Sequence, residues 1–224
     1  MKKEQLHELL FQALETEVGG IQVYETALQC AVNDDLKDEW QKYLDQTRTH
    51  EKLLRDLLPE MGLDPAEETP GRRVVRHQGE ALVEAMNMAL KAGNPKAAQL
   101  VAAECVVTAE TKDHQNWELM AQAAEQMPTP EGKALKGACG QVEDQEDEHL
   151  YHSMGRRIRL VNSSPAIGMI VTVGFSATLV PYCSSTGVTS ASGPRWPIRP
   201  VIPAFARKSK VAATLETAVK WTGR

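Results

Sequence analysis

Asp45-Gln46-Thr47-Arg48-Thr49-His50 returns ninety-nine residues later as Asp144-Gln145-Glu146-Asp147-Glu148-His149. On a helix, residues three and four apart share a face, so Glu146 and His149 present a carboxylate and an imidazole from neighbouring turns. That arrangement lets one helix give two ligands to a metal. A second echo lies upstream of each copy: Glu17 is followed seven residues later by Tyr24-Glu25, and Glu110 seven residues later by Trp117-Glu118. A chain of two helical hairpins, each with a Glu on its first helix and a His on its second, has the composition of an all-α, metal-binding four-helix bundle.

Hydrophobic periodicity supports this organisation. Leu6, Leu10, Leu14, Ile21 and Leu28 recur at helical spacing from Lys2 to Val32, with Glu17 and Tyr24 on the same stripe. Asn33-Asp34-Asp35 stops this helix and caps a second, whose face carries Trp40, Tyr43, Thr47, His50, Leu54 and Leu57 before Pro59 and Gly62. Residues 59–95 form a long connection with a short helical stretch around Glu80–Leu90. A third helix is expected from about Lys96 to Gln126, with Val107, Glu110, His114 and Trp117 on one face. After Pro128-Thr129-Pro130, a fourth begins near Glu131 and carries Leu135, Cys139, Val142, Glu146 and His149 inward.

In an antiparallel hairpin, residues equally far from the turn lie at one height. Glu17 and His50 average to 33.5, at Asn33-Asp34, and Glu110 and His149 average to 129.5, at Thr129-Pro130. Glu104 paired with His149 would centre inside the third helix, so Glu110 is the better candidate. Each candidate interrupts an apolar stripe. A buried carboxylate without a partner costs several kcal/mol, so three carboxylates and two imidazoles facing one volume imply a multivalent cation. The run Glu143–His149, read alone, is a solvated acidic face; the matched heights in both halves argue for a site. Glu17, His50, Glu110, Glu146 and His149 are therefore the expected metal ligands. Oxygen ligands with neutral imidazole suit iron, manganese or zinc.

On these residues the chain resembles the ferritin-like superfamily of di-iron carboxylate proteins, which includes bacterioferritins and rubrerythrins, over roughly residues 1–155. Members carry Glu on the first helix, Glu-x-x-His on the second, Glu on the third and Glu-x-x-His on the fourth, places that Glu17, His50, Glu110, Glu146 and His149 fit. The resemblance implies an antiparallel four-helix bundle with a long crossover between its second and third helices. It also implies iron as cofactor and oxidation of ferrous iron by oxygen or peroxide. Tyr24 matches a tyrosine near the metals in bacterioferritin-like sites. Thr47 stands where a bridging Glu belongs, which points to a single metal, to two metals of unequal affinity, or to a bundle without catalysis that serves as a stress-related structural or interaction protein. His114 is a further candidate ligand, one turn beyond Glu110; His152 lies off the central stripe.

Charge divides the chain. From His149 onward Glu216 is the only acid, against ten Lys and Arg, so residues 1–148 carry a formal −14 and the remainder about +9. An acidic body does not hold a nucleic-acid backbone by counterion release. The expected partners are metal ions and a second copy of the chain, not nucleic acid. Cys30, Cys105, Cys139 and Cys183 are widely spaced, which suits reduced thiols in the cytoplasm. Met1-Lys-Lys leads into an amphipathic pattern rather than a signal peptide. Residues 156–224 are expected to be an irregular basic extension, and the abrupt loss of acids and periodicity there is also what a late change of reading frame produces. The apolar run Ala166–Tyr182, interrupted by two glycines and Pro181, falls short of a spanning helix.

Overall fold

The computed structural model describes residues 1–163, all within one compact unit. The expectations for residues 164–224, including the apolar run and Cys183, lie outside the described residues. Five helices and no strand make up the described part: α1 (Lys3–Cys30), α2 (Asp34–Glu60), α3 (Pro70–Lys91), α4 (Pro95–Glu125) and α5 (Pro130–Ser163). α5 therefore continues past the expected boundary at residue 155.

The helix ends follow from local chemistry. The Asn33 side chain accepts from the Leu36 N–H at 2.9 Å, Thr69 from Arg72 at 3.2 Å and Asn94 from Ala97 at 3.2 Å. Each satisfies an amide donor that the first helical turn leaves free. Pro70 and Pro95 open α3 and α4, where a missing N–H costs nothing. Gly62 and Gly93, just beyond α2 and α3, take φ of 76° and 77°, a left-handed conformation that favours glycine.

Side-chain pairings give the helix directions. Tyr24 with Glu110 and Glu17 with Trp117 both average to 67, so α1 and α4 run antiparallel. Gln46 with His149 and His50 with Gln145 both average to 97.5, which makes α2 and α5 antiparallel too. α1 also packs on α2, and α4 on α5, so these four helices close a ring. The Gln99 side chain fastens one corner, its Oε1 accepting from the Val32 and Asn33 amides at 2.8 and 2.9 Å.

α3 corrects the expectation of a short stretch around Glu80–Leu90, since it spans 22 residues and packs on α1 and α4. Ion pairing, more than apolar periodicity, holds its first half. Glu15 on α1 is buried and takes Arg72 at 2.9 Å and Arg76 at 2.7 Å. Its middle approaches α1 where Gly19 and Gly79 meet backbone to backbone.

The core falls into two apolar clusters. One gathers Leu10, Leu14, Leu54, Leu58, Met120, Leu135 and Val142. The other gathers Val23, Tyr24, Trp40, Tyr43, Ala102 and Val106. On α1, α2 and α4 the residues between these clusters are those around Glu17, His50 and Glu110, so a polar layer divides the greasy interior.

Candidate metal centre

Glu17, His50, Glu110, Glu146 and His149 are all at most 3 % exposed, which places all five predicted ligands inside the ring. Their donor atoms form two groups, Glu17–His50–Glu146 and Glu110–Glu146–His149, each with ligand atoms within 4.8 Å of one another. Glu146 belongs to both. Its Oε1 lies 3.0 Å from His50 Nδ1 and 3.6 Å from His149 Nδ1. Glu17 Oε1 is 3.7 Å from His50 Nδ1, and Glu110 Oε2 is 3.4 Å from His149 Nδ1. Glu17 and Glu110 are not level with each other: the α1–α4 pairings offset them by seven residues, about 10 Å along the helix axis. The one volume expected to hold three carboxylates and two imidazoles is thus two adjacent half-sites joined by one carboxylate.

The surroundings orient these ligands reciprocally. Trp117 on α4 donates its indole N–H to Glu17 Oε1 on α1 at 2.8 Å, while Tyr24 on α1 donates its hydroxyl to Glu110 Oε1 on α4 at 2.7 Å. Each imidazole meets a glutamine of the facing helix, His50 Nε2 to Gln145 Oε1 at 2.9 Å and His149 Nε2 to Gln46 Oε1 at 3.0 Å. An amide oxygen can only accept, so in this arrangement Nε2 carries the proton and Nδ1 presents a lone pair inward. The two rings stack at 5.7 Å between centroids.

The inward atoms have no partner of their own. Glu17 Oε2, Glu110 Oε2, both oxygens of Glu146, and Nδ1 of His50 and His149 are buried without a hydrogen bond. Lone pairs of nitrogen facing carboxylate oxygen repel unless a proton or a cation lies between them. A cluster of this kind is costly when empty of charge compensation, and its donor set fits a transition metal.

Burial sets the protonation states. It lowers His50 from 6.5 to about 4, so its imidazole is neutral at ordinary pH, as ligation requires. Burial, with neighbouring carboxylates, raises Glu17 and Glu146 well above the usual range. A sixth group shares the site. Asp113, one turn after Glu110 on α4, is 5 % exposed, has an unpartnered Oδ1 and lies against the Glu17 carboxyl. Burial first, then the charges of Glu146 and Glu110, raises it too.

Asp113 lies outside both repeated phrases and between Lys112 and His114, so nothing in the sequence marked it. His114 faces Glu118 at 3.6 Å and Asp147 at 3.8 Å and joins neither ligand group. Glu104 pairs with Arg157 at 3.3 Å, away from the centre, in keeping with the choice of Glu110. His152 does touch the site's surroundings, its Nδ1 lying 3.2 Å from the hydroxyl of Tyr43, whose ring packs 4.3 Å from that of His149. Thr47 is buried, but its hydroxyl donates to the Tyr43 carbonyl at 2.9 Å and its methyl packs towards Gly20, so it offers no ligand.

No protein-family model, curated protein or solved structure matches the chain.

Proposed function

We propose that the chain is a ferritin-like four-helix bundle, with α3 as its crossover, that holds iron or a similar transition metal between α1, α2, α4 and α5. The observation that carries this reading is the convergence of six buried, unpartnered donor atoms from Glu17, His50, Glu110, Glu146 and His149 on one volume. Glu146 serves both halves. His50 and His149 give nitrogen donors through Nδ1, and Asp113, beside the Glu17 carboxyl, adds a fourth buried acid. With Glu17, Glu110 and Glu146 it makes four acids, enough to balance two divalent ions.

Bound ferrous iron would supply an electron source for dioxygen or peroxide. The chain's own contribution is positioning. Trp117 and Tyr24 fix one oxygen each of Glu17 and Glu110 and leave the second free for the metal, while the apolar clusters on either side keep bulk water out. Thr47 leaves α2 with one donor where α5 has two, and Glu146 on α5 makes up the difference by serving both half-sites.

The test is metal content. Protein purified without chelator and then loaded with ferrous iron under anaerobic conditions should retain a stoichiometric metal, and exposure to oxygen or peroxide should oxidise it. The internally bonded hydroxyl of Thr47 favours a second reading, a bundle that has lost catalysis and serves as a structural or interaction protein. Metal retained without turnover, or no metal at all, supports that reading.

A further inference from the structure

We propose that Gln46 and Gln145 are positioning residues that each hold the opposite hairpin's histidine with its Nδ1 lone pair aimed at the centre, and that their neutrality biases the centre toward divalent over trivalent ions. The second half rests on the metal reading above; the first does not.

The repeated phrase places a glutamine four residues before each histidine, yet neither glutamine serves its own helix. Gln145 on α5 meets His50 on α2, and Gln46 on α2 meets His149 on α5, at 2.9 and 3.0 Å. The antiparallel register of α2 and α5 makes this exchange necessary, since Gln46 is level with His149 and His50 with Gln145. The brace is thus a property of the assembled pair of helices and cannot form in either hairpin alone. Both glutamines are only partly buried, so their side chains reach inward from the flank and are not packed into the core.

The chemistry of the brace decides what it does. A histidine ligand commonly donates its remote N–H to a carboxylate or a carbonyl, and that partner fixes the tautomer and ring orientation. A carboxylate also raises the basicity of the imidazole and adds negative charge near the metal. An amide oxygen fixes the same tautomer without the added charge. With two amides in these places, the negative charge around the centre comes from the carboxylates alone, and that set is matched to doubly charged ions. A triply charged ion in the same low-dielectric volume lacks compensation.

Histidine-selective ¹⁵N NMR on the metal-free full chain tests the brace. The expected spectrum has both rings in the tautomer that the glutamine oxygens select, with the proton on Nε2 and Nδ1 bare. Gln145→Leu should disturb His50 and leave His149, and Gln46→Leu the reverse. Protonation at Nδ1 in the wild type, or a variant that disturbs the histidine of its own helix, overturns the brace. Zinc titration then reads the consequence: each Leu variant should bind Zn²⁺ about 10–100-fold more weakly, and Gln→Glu, which keeps the accepting oxygen, should recover most of that loss. Competition between Ga³⁺ and Zn²⁺ reads the charge. Gln46→Glu and Gln145→Glu should move the preference toward Ga³⁺ by about tenfold or more, the equivalent of ~1.4 kcal/mol, and an unchanged preference overturns the bias. A wild type that binds no metal but shows the expected tautomers leaves the brace standing and sinks the metal reading.

Discussion

Glu146 is the residue on which both halves of the site depend, because its Oε1 faces both imidazole nitrogens and neither of its oxygens has a hydrogen bond. Glu146→Gln is expected to remove metal binding from both half-sites, whereas Glu17→Gln should weaken one; calorimetric titration with Zn²⁺ distinguishes the two. The same change relieves a crowded set of acids, so the metal-free variant should be more stable by about 1 kcal/mol, roughly 2–4 °C in Tm. Much of this was legible in the residues. The two copies of Asp-Gln-x-x-x-His and the two Glu residues with an aromatic seven places on marked every residue of the two buried donor groups. What sequence could not show was which partner each takes: Trp117 and Tyr24 serve the glutamates of the other helix, and this depends on register between elements distant in the chain. Asp113 was hidden for a different reason, because an aspartate beside Lys112 and His114 reads as surface until the helix phase is fixed by packing.

At the scale of elements, α3 and the α4–α5 turn carry the sharpest expectations. Glu15 is clamped by Arg72 and Arg76, and removing one member of a buried ion pair leaves the other uncompensated. Glu15→Ala should destabilise the protein by about 3–5 kcal/mol, read from the urea midpoint, and should loosen α3 first, read as faster hydrogen exchange over residues 70–91. Gly132 has no room for a side chain, since a Cβ there would lie 2.1 Å from the Met127 carbonyl oxygen. Gly132→Ala is therefore expected to cost about 1–3 kcal/mol and to shift the start of α5, which the same unfolding measurement checks. The four ring helices were readable from apolar stripes ending in Asn, Gly and Pro. α3 was foreshortened because its first half is held by arginines on a buried glutamate, a tertiary contact that leaves no hydrophobic period.

For the whole molecule, the polar layer sets how stability depends on pH and metal. Glu17, Glu146 and Asp113 have raised values, so their contribution is full below the ordinary carboxyl range and is lost as pH rises through the raised values. His50 works in the opposite sense. Its contribution is full above 6.5 and is lost as pH falls toward about 4. Metal removes the carboxyl penalty, so the gain in Tm on adding Zn²⁺ should grow between about pH 5 and pH 8. A gain that shrinks over that range contradicts the assignment. Binding at neutral pH should also release protons, detectable as a dependence of the binding heat on the buffer. No helix among the described residues is long and apolar enough to cross a membrane.

The most direct measurement of the central claim is the metal content of chelator-free protein after anaerobic ferrous loading and desalting, with Glu146→Gln beside the wild type. The account predicts a stoichiometric transition metal in the wild type and its loss in the variant. A wild type that retains none, or a variant that retains as much, would show that the buried acids and imidazoles are kept together by something other than a cation.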